Sequence, residues 1–474
     1  MLHRKSPRTP VRIGVAVLVL ASFAARAGER EGDDGQKHQR TKWIATWTAS
    51  PQNFWKGFNG DALVNFAFPF TPATATTPAS AQPVARNQTL RMIVKPDLWG
   101  DTFRVRLTNT YGASPLTFGR VTIGLQSFSG ATVVGTNTEV RFQGRSFVTV
   151  SPGQETWSDP VRVSWGTQLR DEGVPARLEG RNLAISMYIP GVEGTLTYHN
   201  TALVESFLGA PNSGDHTTDD DDEAYPYETS SWFLVDAVDV IGFADTRVMV
   251  GAGSSSVDGS ITTPGNNDRF LNWMSRLLHM AYGNHVSVVN EGIGGDTAAI
   301  PSEPGQTRPL PQVLPERFDR DILGVSGVTD VLFYAGTNDF GDHIPPAQSI
   351  ASLKSMVDKL HAHEINAIGS TLISNVHQAG TTNATYTAHN QINDYILTSG
   401  DFDSTADFYG ATANPAETVD GFPVLYPAYR THSDPVGTPD YLHLGRAGAQ
   451  AEADTLDLGF FAPPNAPAVR HHRR

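Results

Sequence analysis

The sequence predicts two architectures in series: an antiparallel β-sandwich-like region, then an α/β domain with a doubly wound, mostly parallel sheet. Three observations predict them. Apolar residues recur at every second position between Trp43 and about Gly242. After about Ala244 unbroken apolar runs replace that alternation, and helical stripes separate the runs. A strand with one wet face alternates, a strand covered on both faces does not, and strand alternating with helix builds a parallel sheet.

The elements follow in chain order. His3, Arg4, Lys5, Arg8 and Arg12 precede the apolar stretch Ile13 to Ala25, and Ala25-Arg26-Ala27 offers the small residues a signal peptidase reads. Residues 1–27 therefore read as a secretory leader too short to span a bilayer with ease, which predicts an extracellular or periplasmic protein without stable membrane insertion. Residues 28–42 are charged and Gly-containing, a disordered lead-in. Residues 43–244 carry the alternation. "TFRVRLTN" sets Phe103, Val105 and Leu107 against Arg104, Arg106 and Thr108; "RVTIGLQ" aligns Val121, Ile123 and Leu125; "NLAISMYIP" aligns Leu183, Ile185, Met187 and Ile189. Gly, Pro and Asn cluster between these runs, as in a sandwich. Asp219 to Glu223 interrupt the region as a solvated acidic loop whose carboxylates would also suit a hard cation.

Residues 245–463 carry the second pattern. "RVMVG", "VSVVN", "VTDVLFYAG" and "INAIGSTLIS" are the buried strands. Between them Phe270, Met274, Leu277 and Leu278 form one helical stripe, and Ile350, Leu353, Met356, Val357 and Leu360 another. Residues 464–474 form a polar tail.

Bulk composition narrows the chemistry. The 474 residues suffice for two cores. Lys plus Arg number 35 against 49 Asp plus Glu, a formal charge of −14, which argues against nucleic acid as a partner. Cysteine is absent, so no disulfide, thiolate nucleophile or cysteine-bound zinc is available. "HAHE" lacks the i, i+4 histidine spacing of a zinc helix, so neither metal nor cofactor is expected.

In α/β sheets ligands bind beyond the carboxyl ends of the strands. The strand ends here read "GAGSSSVDG", "NEGIGGDT" and "AGTNDFGD", and "PDYLHLGRAG" follows near the C-terminus. Each alone is an ordinary turn or surface segment. Together they supply the parts of acyl transfer: a serine, a histidine base (His443), a carboxylate to orient it (Asp440), and Gly and Asn donors for an oxyanion. The residues themselves leave Ser254, Ser255 and Ser256 open as the exposed serine.

These four segments resemble the SGNH hydrolases, the GDSL-type esterases and lipases, over about Arg247 to Phe461. The resemblance implies Ser255 as nucleophile, followed by Asp258-Gly259. It implies Gly295 of "GIGGDT" and Asn338 of "GTND" as oxyanion donors beside the Ser255 N–H, and Asp440 and His443 of "DYLH" as triad partners. "RFDRDIL" also looks like a sequence of that family. "WIATWTASPQ" and "TLRMIVKPDLWGDTFRVRLTNTYG" resemble the β-rich N-terminal half of secreted two-part members. The implied activity is a serine esterase, without cofactor, acting on a small-molecule, lipid or acylated-carbohydrate ester. Ser254 stands where the family usually has Asp, and Leu444-Gly445 where Pro-Asn is common.

Two rival readings exist. "GAGSSS" nearly makes a dinucleotide-binding turn, but its last glycine is Ser256 and no acidic residue follows at the ribose distance. The altered first motif would also suit a catalytically weakened relative acting as a carbohydrate-binding module.

Overall fold

The computed structural model describes residues 40–54, 64–68, 84–171, 177–378, 380–432 and 439–462. The expected leader, most of the lead-in and the polar tail lie outside the described residues. No described helix is long and apolar enough to cross a membrane.

Two larger antiparallel sheets form the β-rich region. One orders Thr41–Thr48, Val235–Phe243, Thr102–Thr108 and Val161–Arg162, with Glu155–Trp157 also pairing to Thr102–Thr108. Its first strand starts at Thr41, inside the expected lead-in. The other orders Tyr227–Thr229, Ser206–Leu208, Val84–Val94, Leu183–Glu193, Arg120–Leu125 and Thr138–Val140. The apolar sets Phe103, Val105, Leu107 and Leu183, Ile185, Met187, Ile189 are fully buried, as their alternation predicts.

The opposite face of Thr102–Thr108 is not wet. Arg104 stacks between Trp43 and Trp157, with its Cζ 4.6 and 4.1 Å from the ring centres, pairs with Asp239 and donates to Ser326 Oγ. Arg106 is buried against Asp236 at 2.8 Å. The reason is tertiary: the α/β region covers this face. Ala45 N–H donates to Ser326 O, and Ser287 Oγ donates to Ala45 O. Residues from both regions share one hydrophobic core.

The acidic loop is likewise more engaged than a solvated loop. Arg91 is fully buried, and its guanidinium donates to the carbonyls of Gly130, Asp219 and Asp221. The carboxylates of Asp219, Asp220 and Asp222 accept from His216, from Thr132 and Asn137, and from Gly130 N–H. Burying a cation without such acceptors would be costly, so the loop folds over it.

The α/β region is built on five parallel strands. In chain order they are Arg247–Gly253, Val286–Gly292, Asp330–Tyr334, Asn366–Ser370 and Ser404–Ala406, and in space they lie 2-1-3-4-5. The first four match the apolar runs. The fifth, "STA", is too short and polar to register as one. Helix Phe270–Tyr282 buries Phe270, Met274 and Leu278, and Pro346–Ala362 buries Leu353, Met356, Val357 and Leu360. The central first strand, between the second and the third, aims its carboxyl end at the place where the strand order reverses, where such sheets bind ligands.

Candidate active site

The first parallel strand ends at Gly253, where it runs close beside the third. A Cβ there would sit 2.0 Å from Tyr334 O, so only glycine lets the two strands approach. The chain then turns into a single helical turn, Ser255–Asp258, closed by Gly259 in the left-handed conformation. Ser254 is buried, and its carbonyl accepts from Val257 and Asp258 N–H. Ser255 opens the helical turn and sends its hydroxyl to His443.

The Ser255 Oγ to His443 Nε2 distance is 2.8 Å, and His443 Nδ1 lies 2.9 Å from Asp440 Oδ2. Asp440 Oδ1 also accepts the backbone N–H groups of Leu442 and His443. Burial pushes the Asp440 carboxyl up, but the hydrogen bond and charge of His443, with those two N–H groups, hold it below the ordinary carboxylate value. It is therefore a carboxylate at neutral pH, able to fix the imidazole with its Nδ1 proton inward. Both residues sit on strand Pro439–Leu444, which pairs with Arg430–His432, and Thr431 Oγ1 donates to His443 O. Of the three serines, Ser255 is the one joined to the imidazole; Ser256 lines a small recess with Tyr334 and Glu452.

Gly295 has φ +84°, and an added Cβ there would meet no atom within 4 Å, so the glycine serves conformation rather than close packing. The next residue, Asp296, is buried. Its carboxylate accepts from Thr297 N–H, Leu314 N–H and Arg317 Nε, and burial pushes its pKa up to about 6 against those donors. Its carbonyl accepts from Asn338 Nδ2 at 2.7 Å, which orients the amide and leaves its second N–H unused by that bond. The neighbouring Asp339 faces inward. It accepts from Ala298 N–H, Ala299 N–H and Ser349 Oγ, tying "GTND" to the loop after Gly295.

Three further residues hold the site, and their roles were not legible in the sequence. Arg317, from "RFDRDIL", is fully buried. It pairs with Asp296 at 2.8 Å and Asp321 at 3.2 Å, donates to Gly253 O just before the serines, and donates to Ser50 Oγ. One guanidinium thus fixes the strand end bearing Ser255 and the loop bearing Gly295. Ser50 belongs to "WTASPQ" in the β-rich region and also donates to the buried Glu291 carboxyl, which burial pushes up to about 7. His199, from the same region, places Nε2 3.1 Å from Asp258 Oδ1 and Nδ1 3.0 Å from Ser50 O. Asp258 Oδ2 accepts Gly294 N–H. The β-rich region therefore buttresses the serine turn from behind. The segments carrying Ser50 and Arg317 signalled importance by resemblance; no local pattern singled out His199.

Residues 252–451 match the GDSL-like Lipase/Acylhydrolase family. Among solved structures, an acetyl xylan esterase variant from Geobacillus stearothermophilus aligns at 18% identity and TM-score 0.34, covering 46% of this chain and 98% of that chain. A carbohydrate acetylesterase family member from Sinorhizobium meliloti aligns at 15% and 0.31, covering 45% and 96%. A G-D-S-L family protein from Desulfitobacterium hafniense DCB-2 aligns at 19% and 0.33, covering 44% and 97%. No curated protein matches the chain.

Proposed function

We propose that this chain, whose residues 252–451 belong to the GDSL-like lipase/acylhydrolase family, is a secreted serine esterase that cleaves carboxylic esters through an acyl-enzyme. The reading rests on one observation above the others: the hydrogen-bonded series Ser255 Oγ, His443 Nε2, His443 Nδ1, Asp440 Oδ2 at 2.8 and 2.9 Å, at the carboxyl edge of the parallel sheet. In this reading residues 43–244 form a β-sandwich-like domain and residues 245–463 a doubly wound catalytic domain.

The chemistry follows from the residues. Ser255 Oγ attacks the ester carbonyl carbon as His443 Nε2 takes its proton. Asp440 stabilises the imidazolium without taking the proton itself. The carbonyl oxygen becomes an oxyanion that receives the N–H of Ser255, the N–H of Gly295 and the Asn338 amide. The Ser255 N–H suits the role because a first-turn N–H has no acceptor within its own helix. Collapse breaks the bond to the alcohol, which leaves with the proton from His443. Water then attacks the acyl-Ser255 ester, with His443 again as base, and the acid departs.

A fluorophosphonate probe tests this directly. The wild-type chain and the Ser254→Ala and Ser256→Ala variants label, and Ser255→Ala does not label and loses orders of magnitude in kcat. Labelling retained in Ser255→Ala and lost in a neighbouring variant would assign the nucleophile elsewhere.

A further inference from the structure

One cavity among the described residues does not face Ser255. It lies on the other side of the serine turn, between the β-rich region and helix Phe270–Tyr282, and encloses about 680 Å³. Asp258 and His199 line it, while Ser255 and His443 do not. That volume falls in the range of pockets that hold organic ligands, from about 300 to 1,000 Å³.

Its charges are unevenly matched. Lys95, Arg269 and Arg276 all line the cavity, and among the described residues none of them forms an ion pair. Arg269 is buried and spends its N–H groups on the carbonyls of Asp258, Thr201 and Ala202. Arg276 donates to Asn267 O and stacks on Trp273 at 4.4 Å, a ring that also carries Arg446 at 5.3 Å. Burial lowers the pKa of all three cations, reinforced for Lys95 by Arg276 and for Arg276 by Arg446, and opposed by Asp97 at Lys95 and by Asp258 at Arg269.

The carboxylates that face the cavity are already engaged. Asp97 accepts from His279, Ser275 and Val288 N–H. Asp258 is held by His199, and Glu179 pairs with Arg177 at 3.6 Å on the rim. Asp268 approaches Arg269 and Arg276 closely enough to oppose their loss of charge, without pairing with either. Protein cations in a partly desolvated cavity without a carboxylate partner carry an electrostatic cost that a bound anion removes. Trp47 and Trp232 supply apolar walls, and the amides of Asn267, Asn272 and Asn290 supply polar ones.

We propose that this cavity is a second binding site, separate from the Ser255 centre, for an organic anion of sugar size whose carboxylate or phosphate meets Lys95 and Arg276. The proposal stands whether or not Ser255 is the nucleophile. Sugar acids and sugar phosphates share this chemistry, so the probes are galacturonate and glucose 6-phosphate, with galactose and glucose as neutral matches.

The test is calorimetric titration of the full chain with each probe. At least one charged probe is expected to bind saturably, more weakly as salt is raised, with its neutral match silent. Which probe binds distinguishes a carboxylate site from a phosphate site. Lys95→Met and Arg276→Gln should each weaken binding about tenfold or more, the usual effect of removing a charged hydrogen-bond donor. Thermal unfolding without probe reports whether each variant is folded; Arg269 is left intact because it holds the turn carbonyls. Should a variant unfold, the comparison of charged with neutral sugars on the wild-type chain still decides. Absence of saturable binding by both charged probes, equal binding by the neutral sugars, or unchanged affinity in both folded variants would overturn the proposal.

Discussion

Glu452→Gln should make this protein more stable as pH rises, relative to the parent chain. Glu452 lies on helix Arg446–Ala453, buried at 4% exposure, and accepts from the Tyr334 hydroxyl at 3.1 Å. Burial pushes its pKa up to about 8, with the Tyr334 hydrogen bond opposing. The folded chain therefore keeps the carboxyl neutral at pH values where the unfolded chain has released the proton. A raised folded pKa means the stabilising contribution is complete below the ordinary value of 4.5 and is lost as pH climbs towards 8. At about 1.4 kcal/mol per pH unit, that interval amounts to about 5 kcal/mol. Glutamine keeps the oxygen that accepts from Tyr334 and has no proton to lose. Glu291, Asp296 and Asp339 are also raised, to about 7, 6 and 6, but they remain in both proteins and cancel in the difference. Denaturant unfolding of both proteins from about pH 4 to pH 9 measures it. The variant's advantage should grow through the window and level off above about pH 8. A difference independent of pH would refute the reasoning, because it would mean that water reaches the carboxyl.

Three more expectations follow from the site. Arg317→Met leaves Asp296 buried without its cation, while Asp321 keeps Arg320, so it should cost about 3–5 kcal/mol in denaturant unfolding and slow Ser255 labelling; a loss below about 1 kcal/mol would show that the Arg317–Asp296 pair is not buried as described. Asn338→Ala should lower kcat by about 10²–10³ with little change in KM, whereas intact kcat with a lower melting temperature would make Asn338 a turn cap only. Ser254→Asp places a carboxylate at a buried position one residue before the nucleophile, so the profile of kcat/KM against pH should differ from that of the parent chain; coincident profiles would remove any electrostatic role from position 254.

Periodicity alone carried much of the architecture. Alternation in "TFRVRLTN" and its loss in "VTDVLFYAG" mark the change from antiparallel to parallel strands, because a residue's neighbours on its own strand record how many faces are covered. Position after the strand ends brought the serine run, Gly295 and Asn338 forward, and the family resemblance singled out Ser255 and joined Asp440 and His443 to them. Local pattern stops where partners are remote. It makes Arg104 and Arg106 a wet face, and only the packing of one region on the other turns that face into buried ion pairs. The same holds for the acidic loop folded over Arg91 and for the strand Ser404–Ala406, whose pairing to Asn366–Ser370 defines it more than its three residues do.

The choice among three adjacent serines shows the division most sharply. Composition and spacing are the same for Ser254, Ser255 and Ser256, but one helical turn sends them in different directions, and His443 meets Ser255 across 188 residues of sequence. Arg317 and His199 belong to the same class. Sequence brought hydroxyl, imidazole, carboxylate and amide forward as candidates; the tertiary structure decided which serine reaches the imidazole and that the β-rich region buttresses its turn. The physical reason is that periodicity records a residue's environment, whereas a hydrogen bond between distant segments depends on the path of the whole chain.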